Sequence, residues 1–182
     1  MANGFQGRCA PKPLPAAEIL SSYFSYDPLT GIIVWKPQAG KNQRWNTQFA
    51  GQEAGCIAPN GYKQIRLNGE GLRYHRVAWA LLHRDCPTDV WIDHANGDPL
   101  DNRASNLRLA SRSENARNAK RRDGCRLPRG VKRHHRGVKF EAQIRTSPGK
   151  RIFLGLFDTP DAAHIAYRAA AIKYHGEFAR FD

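Results

Sequence analysis

The chain has 182 residues, of which 41% are hydrophobic, and carries 29 Lys+Arg against 16 Asp+Glu, a formal net charge of +13. That length suits one compact domain or a few small modules with modest cores, and that charge points to a polyanionic partner, nucleic acid being the commonest. No apolar run of 18 residues exists, which excludes a membrane-spanning helix and leaves no reason to expect a membrane partner.

Charge and cysteine are unevenly used. From Arg112 to Arg151 there are 14 Lys/Arg and only three acids, Glu114, Asp123 and Glu141, so the excess is a local feature and not a general surface bias. Cys9, Cys56, Cys86 and Cys125 lie far apart with no C-x-x-C pair. That spacing suits neither a zinc ribbon nor a disulfide scaffold, and it predicts reduced thiols in a cytoplasmic protein.

In chain order, residues 1–13 lack an apolar signal core and read as a loose arm. "AAEILSSYFSYD" predicts a short helix, and "DPLTGIIVWK" a turn at Gly31 feeding a strand. "KPQAGKNQRWNTQFAGQEAG" is polar and glycine-rich and predicts a loop. Two strands follow, Tyr62–Leu67 and Leu72–His75, joined by the hairpin signal Asn68-Gly69. Val77, Ala78, Leu81 and Leu82 then recur at helical spacing.

The next stretch, "WIDHANGDPLDNRASNLRLASRSENARN", combines one Asp-His pair with Asn96, Asn102, Asn106, Asn115 and Asn118. Asparagine competes with the backbone for hydrogen bonds and is a poor filler of helices and strands, so this density needs a reason. "DVWID" reads as a strand stopping at His94, "ANGDPLDNRAS" as a loop and "NLRLA" as a second strand. "SRSENARNAKRR" starts a helix with the capping-box spacing Ser111-x-x-Glu114. The unit is strand, loop, strand, helix. "RRDGCRLPRG" is a linker.

Residues 129–182 change character. "GVKRHHR", "KFEAQIRT" and "KRIFLGLF" predict three short strands, with "TSPGK" as the second turn. Thr159 is an N-cap before Pro160, and Gly176 ends the helix. Ala163, Ala166, Tyr167, Ala170 and Tyr174 stack on its predicted buried face.

The chemistry of phosphodiester cleavage gives the asparagines a use. The reaction needs a deprotonated water, neutralised phosphate charge and relief for the leaving oxygen. One hard divalent cation, held by one or two protein oxygens, supplies the last two. A neutral imidazole supplies the first. Asp93-His94 offers both groups at a strand end; adjacent strand residues face opposite ways, and a break in the strand there lets both reach one site. Asn115, 22 residues after Asp93, offers an amide oxygen as second ligand, and Asn106 lies between, placed to bond the loop backbone and fix His94.

"RYHRVAWALLH…WIDHANGDPLDNRASNLRLASRSENARN" resembles the HNH endonucleases of bacteriophages and mobile introns, in their His-Asn-Asn form, over roughly Tyr62 to Lys120. "YFSYDPLTGIIVWK" is similar to the N-terminal part of phage members. The resemblance implies a ββα-metal nuclease core in residues 14–122, with His94 as general base and Asp93 and Asn115 as ligands of one Mg²⁺ or Mn²⁺. Asn106 completes that catalytic constellation as the structural middle asparagine. It also implies in-line attack by water, leaving 5′-phosphate and 3′-hydroxyl ends. His75 reads as a packing or hydrogen-bonding residue.

Beyond a linker at 123–128, residues 129–182 resemble the ERF-type (Apetala family) DNA-binding domain of plant transcription factors. The landmarks are R-G-V, "AQIR", "LGLFDT", A-x-x-A-Y and "GEFA". The resemblance implies a three-stranded antiparallel sheet in the major groove with one helix behind it. The implied DNA contacts are Arg129, Lys132, Gln143, Arg145, Arg151 and Phe153. Gln143 and Phe153 stand where plant members carry Glu and Trp, so base preference does not transfer.

The expectation is therefore an α+β protein: a homing-type, phage-encoded, metal-dependent endonuclease acting on double-stranded DNA. It needs no small-molecule cofactor and acts as a monomer, with dimers on DNA left open. The alternative is a non-catalytic DNA-binding regulator on a degenerate nuclease fold, and an RNA-directed nuclease is a weaker rival.

Overall fold

The computed structural model describes residues 12–119, 124, 126–147 and 149–181. Most of the expected arm, the basic run 120–123, Cys9, Cys125 and Pro148 of the expected turn lie outside the described residues. The fold is α+β, and its named sheets are small and antiparallel. The chain divides into two compact units, one ending at Ala110 and one beginning at Ser111. Among the described residues, no helix is long and apolar enough to cross a membrane.

The first unit begins with helix α1 (Ala17–Tyr23), which runs directly into strand β1 (Phe24–Asp27). A turn at Asp27–Gly31 folds β2 (Ile32–Trp35) back onto β1. The expected loop that follows contains a helix instead, α2 (Gln43–Phe49). Asn42 caps it by accepting from Trp45 N at 2.8 Å, and Trp45 packs edge-on against Trp35 and at a tilt against Phe49. A cap and one aromatic pair at helical spacing hold this helix, and the polar residues between them hid that signal from the sequence.

Strands β3 (Cys56–Ile57), β4 (Lys63–Leu67) and β5 (Glu70–Arg73) form a meander. The second strand stops two residues earlier than expected, because Tyr74 and His75 open helix α3 (Tyr74–His83). Tyr74 is fully buried, and its hydroxyl oxygen accepts the buried Ile33 amide at 2.6 Å. That bond ties α3 to the β1–β2 hairpin and supplies a partner that a buried N–H requires. Leu20, Phe24, Ile33, Ile65, Leu72, Val77 and Ala78 close the core around it.

The ribbon β6 (Trp91–His94) and β7 (Leu107–Ala110) completes the unit, pairing Asp93 with Arg108 and His94 with Leu107. Ile92 and Leu107 enter the same core, which seats the ribbon against the rest of the unit.

The second unit starts with helix α4 (Arg112–Asn118), whose capping box is present in full: Ser111 Oγ accepts Glu114 N, and Glu114 Oε2 accepts Ser111 N at 2.7 Å. Strands β8 (Val131–Arg133), β9 (Phe140–Ser147) and β10 (Lys150–Phe157) form the three-stranded sheet in the order β10-β9-β8. Helix α5 (Pro160–His175) covers one face, capped by Thr159 Oγ1. Its buried residues are Ala163, Tyr167, Ala170 and Ala171, against Ala142, Ile144 and Val131 of the sheet. Tyr174, expected on that face, is 40% exposed. Ala171 takes the position instead, since only a small side chain fits where the helix lies close to the sheet.

Candidate active site and nucleic-acid interface

Asp93 and His94 are both buried, at 6% and 5% exposure. The expectation that the strand breaks between them is corrected: His94 is still paired with Leu107, and the chain turns only at Ala95. Asp93 Oδ2 accepts two hydrogen bonds from Arg108 across the strands, at 3.0 and 3.1 Å.

His94 meets a different set of groups. Its Nε2 lies 3.2 Å from Oδ1 of Asn102, and its ring is edge-on to His75 with centroids 5.1 Å apart. Tyr62 stands 5.9 Å from His75 and 6.2 Å from His94, completing a small aromatic cluster. Burial lowers the His94 pKa against the raising effects of Asn102 and of Asp93. Burial likewise drives His75 well below the ordinary imidazole range, helped by the neighbouring His94. Both rings are thus neutral at neutral pH, the form a proton acceptor needs.

Buried neutral histidines carry a stability consequence. The unfolded chain takes up protons near an ordinary imidazole pKa of about 6.5, while the folded state refuses them until lower pH. Stability of the first unit therefore falls as pH drops below about 6.5, by at most about 1.4 kcal/mol per pH unit for each ring. Urea midpoints measured between about pH 7 and 5.5, where carboxylates stay ionised, check this. The expected result is a falling midpoint whose slope weakens in His75→Phe; a flat profile contradicts it.

The loop beyond His94 is organised by its own amides. Asn106, 7% exposed, accepts Asn96 N through Oδ1 at 2.9 Å. Its Nδ2 donates to Asp101 O at 2.7 Å and to Asn96 Oδ1 at 3.0 Å. Its backbone oxygen accepts Ala95 N at 2.8 Å. Asn96 in turn accepts Asp98 N and donates to Asp101 Oδ2, whose carboxylate Arg103 holds well below the usual range, at about 2. One amide thus pins both ends of the turn that begins at His94.

Sequence reading missed Asn102, Arg108 and Tyr62 as neighbours of the Asp-His pair, and it left His75 without a partner. Asn102 had a signal, since it is an asparagine within the same dense motif. The cross-strand pairing of Arg108 depends on a register that the motif alone does not state.

In the second unit, Asn115 sits half-buried in the first half of α4, its backbone N–H donating to Ser111 O at 3.0 Å. The end of that helix is capped by arginines. Arg129 donates to Arg117 O at 3.3 Å and to Ala119 O at 2.6 Å, and Arg180 donates to Asn118 O at 2.9 Å. Arg117 itself reaches Thr146 O of β9 at 2.7 Å. Cationic donors on the last carbonyls suit a helix C-terminus.

The expected DNA-contacting residues divide on this basis. Register pairs Arg145 with Arg151 and Gln143 with Phe153, so these four share the sheet face that α5 does not cover. Arg145 and Arg151 are exposed, and Phe153 is 59% exposed. Lys132 lies on the same face opposite Glu141, with which it forms an ion pair at 3.1 Å. The guanidinium of Arg129 bonds the last carbonyls of α4.

Comparison with known proteins adds five findings. Residues 73–117 match the family model of the HNH endonuclease. Protein 3.8 of Escherichia phage T7 is 29% identical over 115 residues, 60% of this chain and 89% of that protein. The AP2-like ethylene-responsive transcription factor CRL5 of Oryza sativa subsp. japonica is 44% identical over 54 residues, 29% of this chain, and the chain spans 8% of its length. The factor ANT of Arabidopsis thaliana is 43% identical over 54 residues, of which the chain covers 10%. A solved structure described as DNA binding and cleavage by the HNH homing endonuclease I-HmuI aligns with 84% of this chain and 85% of that chain, at 16% identity and a TM-score of 0.37.

Proposed function

We propose that this chain is a divalent-metal-dependent DNA endonuclease of the HNH, homing type, encoded by a phage and directed to its sequence by an ERF-type module in residues 129–182. The observation that carries the reading is His94. It is a buried, neutral imidazole oriented by an amide, at a strand end inside the segment that matches the HNH endonuclease model.

In this reading His94 takes a proton from water, whose oxygen forms a bond to phosphorus while the bond to the 3′ oxygen breaks in line. The departing oxygen is protonated by solvent, leaving 5′-phosphate and 3′-hydroxyl ends. Asp93 and Asn115 are the residues that would hold the cation. A carboxylate and an amide carbonyl are hard oxygen donors, few enough to leave a Mg²⁺ or Mn²⁺ most of its water, so each suits such an ion by its chemistry. Such an ion, when bound, neutralises phosphate charge and eases departure of the leaving oxygen. Asn106 holds the loop that follows the base, and Arg108 holds Asp93 in place.

The sheet face bearing Gln143, Arg145, Arg151 and Phe153 is the proposed reader of the DNA major groove. Arginine pairs with guanine through two hydrogen bonds there, and an exposed aromatic adds apolar contact. Arg145→Ala therefore weakens retardation of the bound DNA by about 1–3 kcal/mol and leaves cation binding unchanged. Equal retardation by both proteins takes Arg145 off the DNA face.

The decisive experiment incubates supercoiled plasmid carrying the DNA that flanks the gene with protein and Mg²⁺ or Mn²⁺, beside a chelator control. One active site per chain predicts relaxed circles as the first product. Plasmid that is retarded but never relaxed, with either ion, identifies the chain as a DNA-binding regulator instead.

A further inference from the structure

We infer that Asn102 is a positioning residue that fixes which nitrogen of His94 carries the proton, so that Nδ1 is the nitrogen that accepts one from water. The inference rests on the nuclease reading only in naming His94 as the base; the protonation pattern itself follows from geometry within the first unit.

The two ends of an asparagine amide look alike in shape, and their neighbours tell them apart. Nδ2 of Asn102 donates to the backbone oxygen of Leu100 at 3.0 Å, a partner that can only accept. Oδ1 is therefore the end that faces Nε2 of His94, 3.2 Å away. A carbonyl oxygen can only accept, so Nε2 must bear the hydrogen. Turning the amide over would set Oδ1 against Leu100 O, two acceptors without a proton between them. A neutral imidazole has a single N–H, and with it on Nε2 the lone pair lies on Nδ1.

The amide is held firmly enough to enforce this choice. Asn102 is 2% exposed, and its backbone oxygen accepts the Tyr26 hydroxyl at 2.9 Å. Gly31, in the β1–β2 turn with φ +76°, lies so close that an added Cβ would stand 2.5 Å from Asn102 C and from Arg103 N. Ala104 N donates to Pro28 O at 3.0 Å, securing the same segment from its other side. Tyr26, Pro28 and Gly31 all precede the residues that match the HNH endonuclease model. The N-terminal hairpin thus acts as a buttress for the residue that orients the base.

The test reads the ring directly. Long-range ¹H–¹⁵N correlation spectra of the metal-free protein, histidine-labelled and at mildly alkaline pH, report the tautomer of each neutral imidazole; a His94→Gln control assigns the resonance. The expected result is the Nε2–H form for His94 in the wild type. In Asn102→Ala the resonance moves toward a mixture of tautomers. In the plasmid assay the same variant loses about 10- to 100-fold in kcat with KM for DNA unchanged, the usual cost of removing a group that orients a histidine.

A wild-type spectrum with the proton on Nδ1 overturns the inference, whether or not any variant folds. So does an Asn102→Ala protein with an unchanged tautomer. Because the spectra need no cutting, a chain that never relaxes plasmid yet changes tautomer in Asn102→Ala supports this inference while the nuclease reading fails.

Discussion

A His94→Ala protein relaxes supercoiled plasmid about 10²–10⁴-fold more slowly than the wild type, the usual worth of a positioned general base. It still retards DNA. The physical argument is that neither His75 nor Asn102, two described neighbours of the ring, can take its place. His75, its nearest aromatic neighbour, is held neutral more strongly still, and the orienting amide of Asn102 faces the nitrogen of His94. The surrounding scaffold does not need the ring to stand. Arg108 keeps Asp93, and Asn106 keeps the loop, through bonds that do not involve the imidazole. His94→Gln, which fills more of the space, controls for collapse of the buried site. Cutting at the wild-type rate by either variant assigns the proton transfer to another group and removes the observation on which the functional proposal stands.

The second large effect lies in the other unit. Gly130→Ala abolishes sequence-directed DNA retardation because residues 129–182 lose their packed sheet and helix. Gly130 has φ +74°, and an added Cβ would stand 1.9 Å from Cδ2 of Tyr167, inside the ring's own carbon shell. Tyr167 is 5% exposed and sits in the cluster that joins α5 to the sheet, so it has no room to retreat. A left-handed backbone costs an alanine about 1–2 kcal/mol. Forcing a methyl into a packed core adds about 1–3 kcal/mol, enough together to unfold a module with so small a core. Gly137→Ala is the control: φ is +79°, yet nothing lies within 4 Å of its added Cβ, so only the backbone strain remains. Circular dichroism melts and retardation assays of the two variants separate the causes. Similar melting of both would mean that Tyr167 yields and the close approach carries no weight.

The contiguous parts of the candidate site were legible in the sequence. The strand ending at His94, the loop, the second strand and the capped helix follow from local patterns that need no partner elsewhere. Asn106 reads as a loop brace for the same reason, since an amide between two short strands has few other uses, and its amide bonds Asn96 N and Asp101 O. What escaped was decided by residues distant in sequence. The orientation of the Asn102 amide depends on a turn about 70 residues earlier. Arg129 reads as a DNA contact from the sequence, and its bonds to the last carbonyls of α4 depend on a helix ten residues earlier. Helix α2 rests on Trp35, outside its own segment, and the Asp93–Arg108 pair rests on strand register. Local chemistry showed which residues were unusual, and the fold then chose their partners.

The arginine caps on α4 bear on how the proposed nuclease could be given new targets. The helix carrying Asn115 draws its final carbonyl partners from Arg129 and Arg180, and Arg117 anchors it to Thr146. Exchanging residues 129–182 for a foreign reading head at the linker would strip those partners away and fray the helix from its end. Grafts that retain Arg129 and Arg180, or that cut the chain ahead of Ser111 and bring α4 along, keep the helix whole. On the proposed reading of residues 129–182 as the DNA module, that module is not freely portable: a change of target is easier by altering side chains on the exposed sheet than by shuffling the domain.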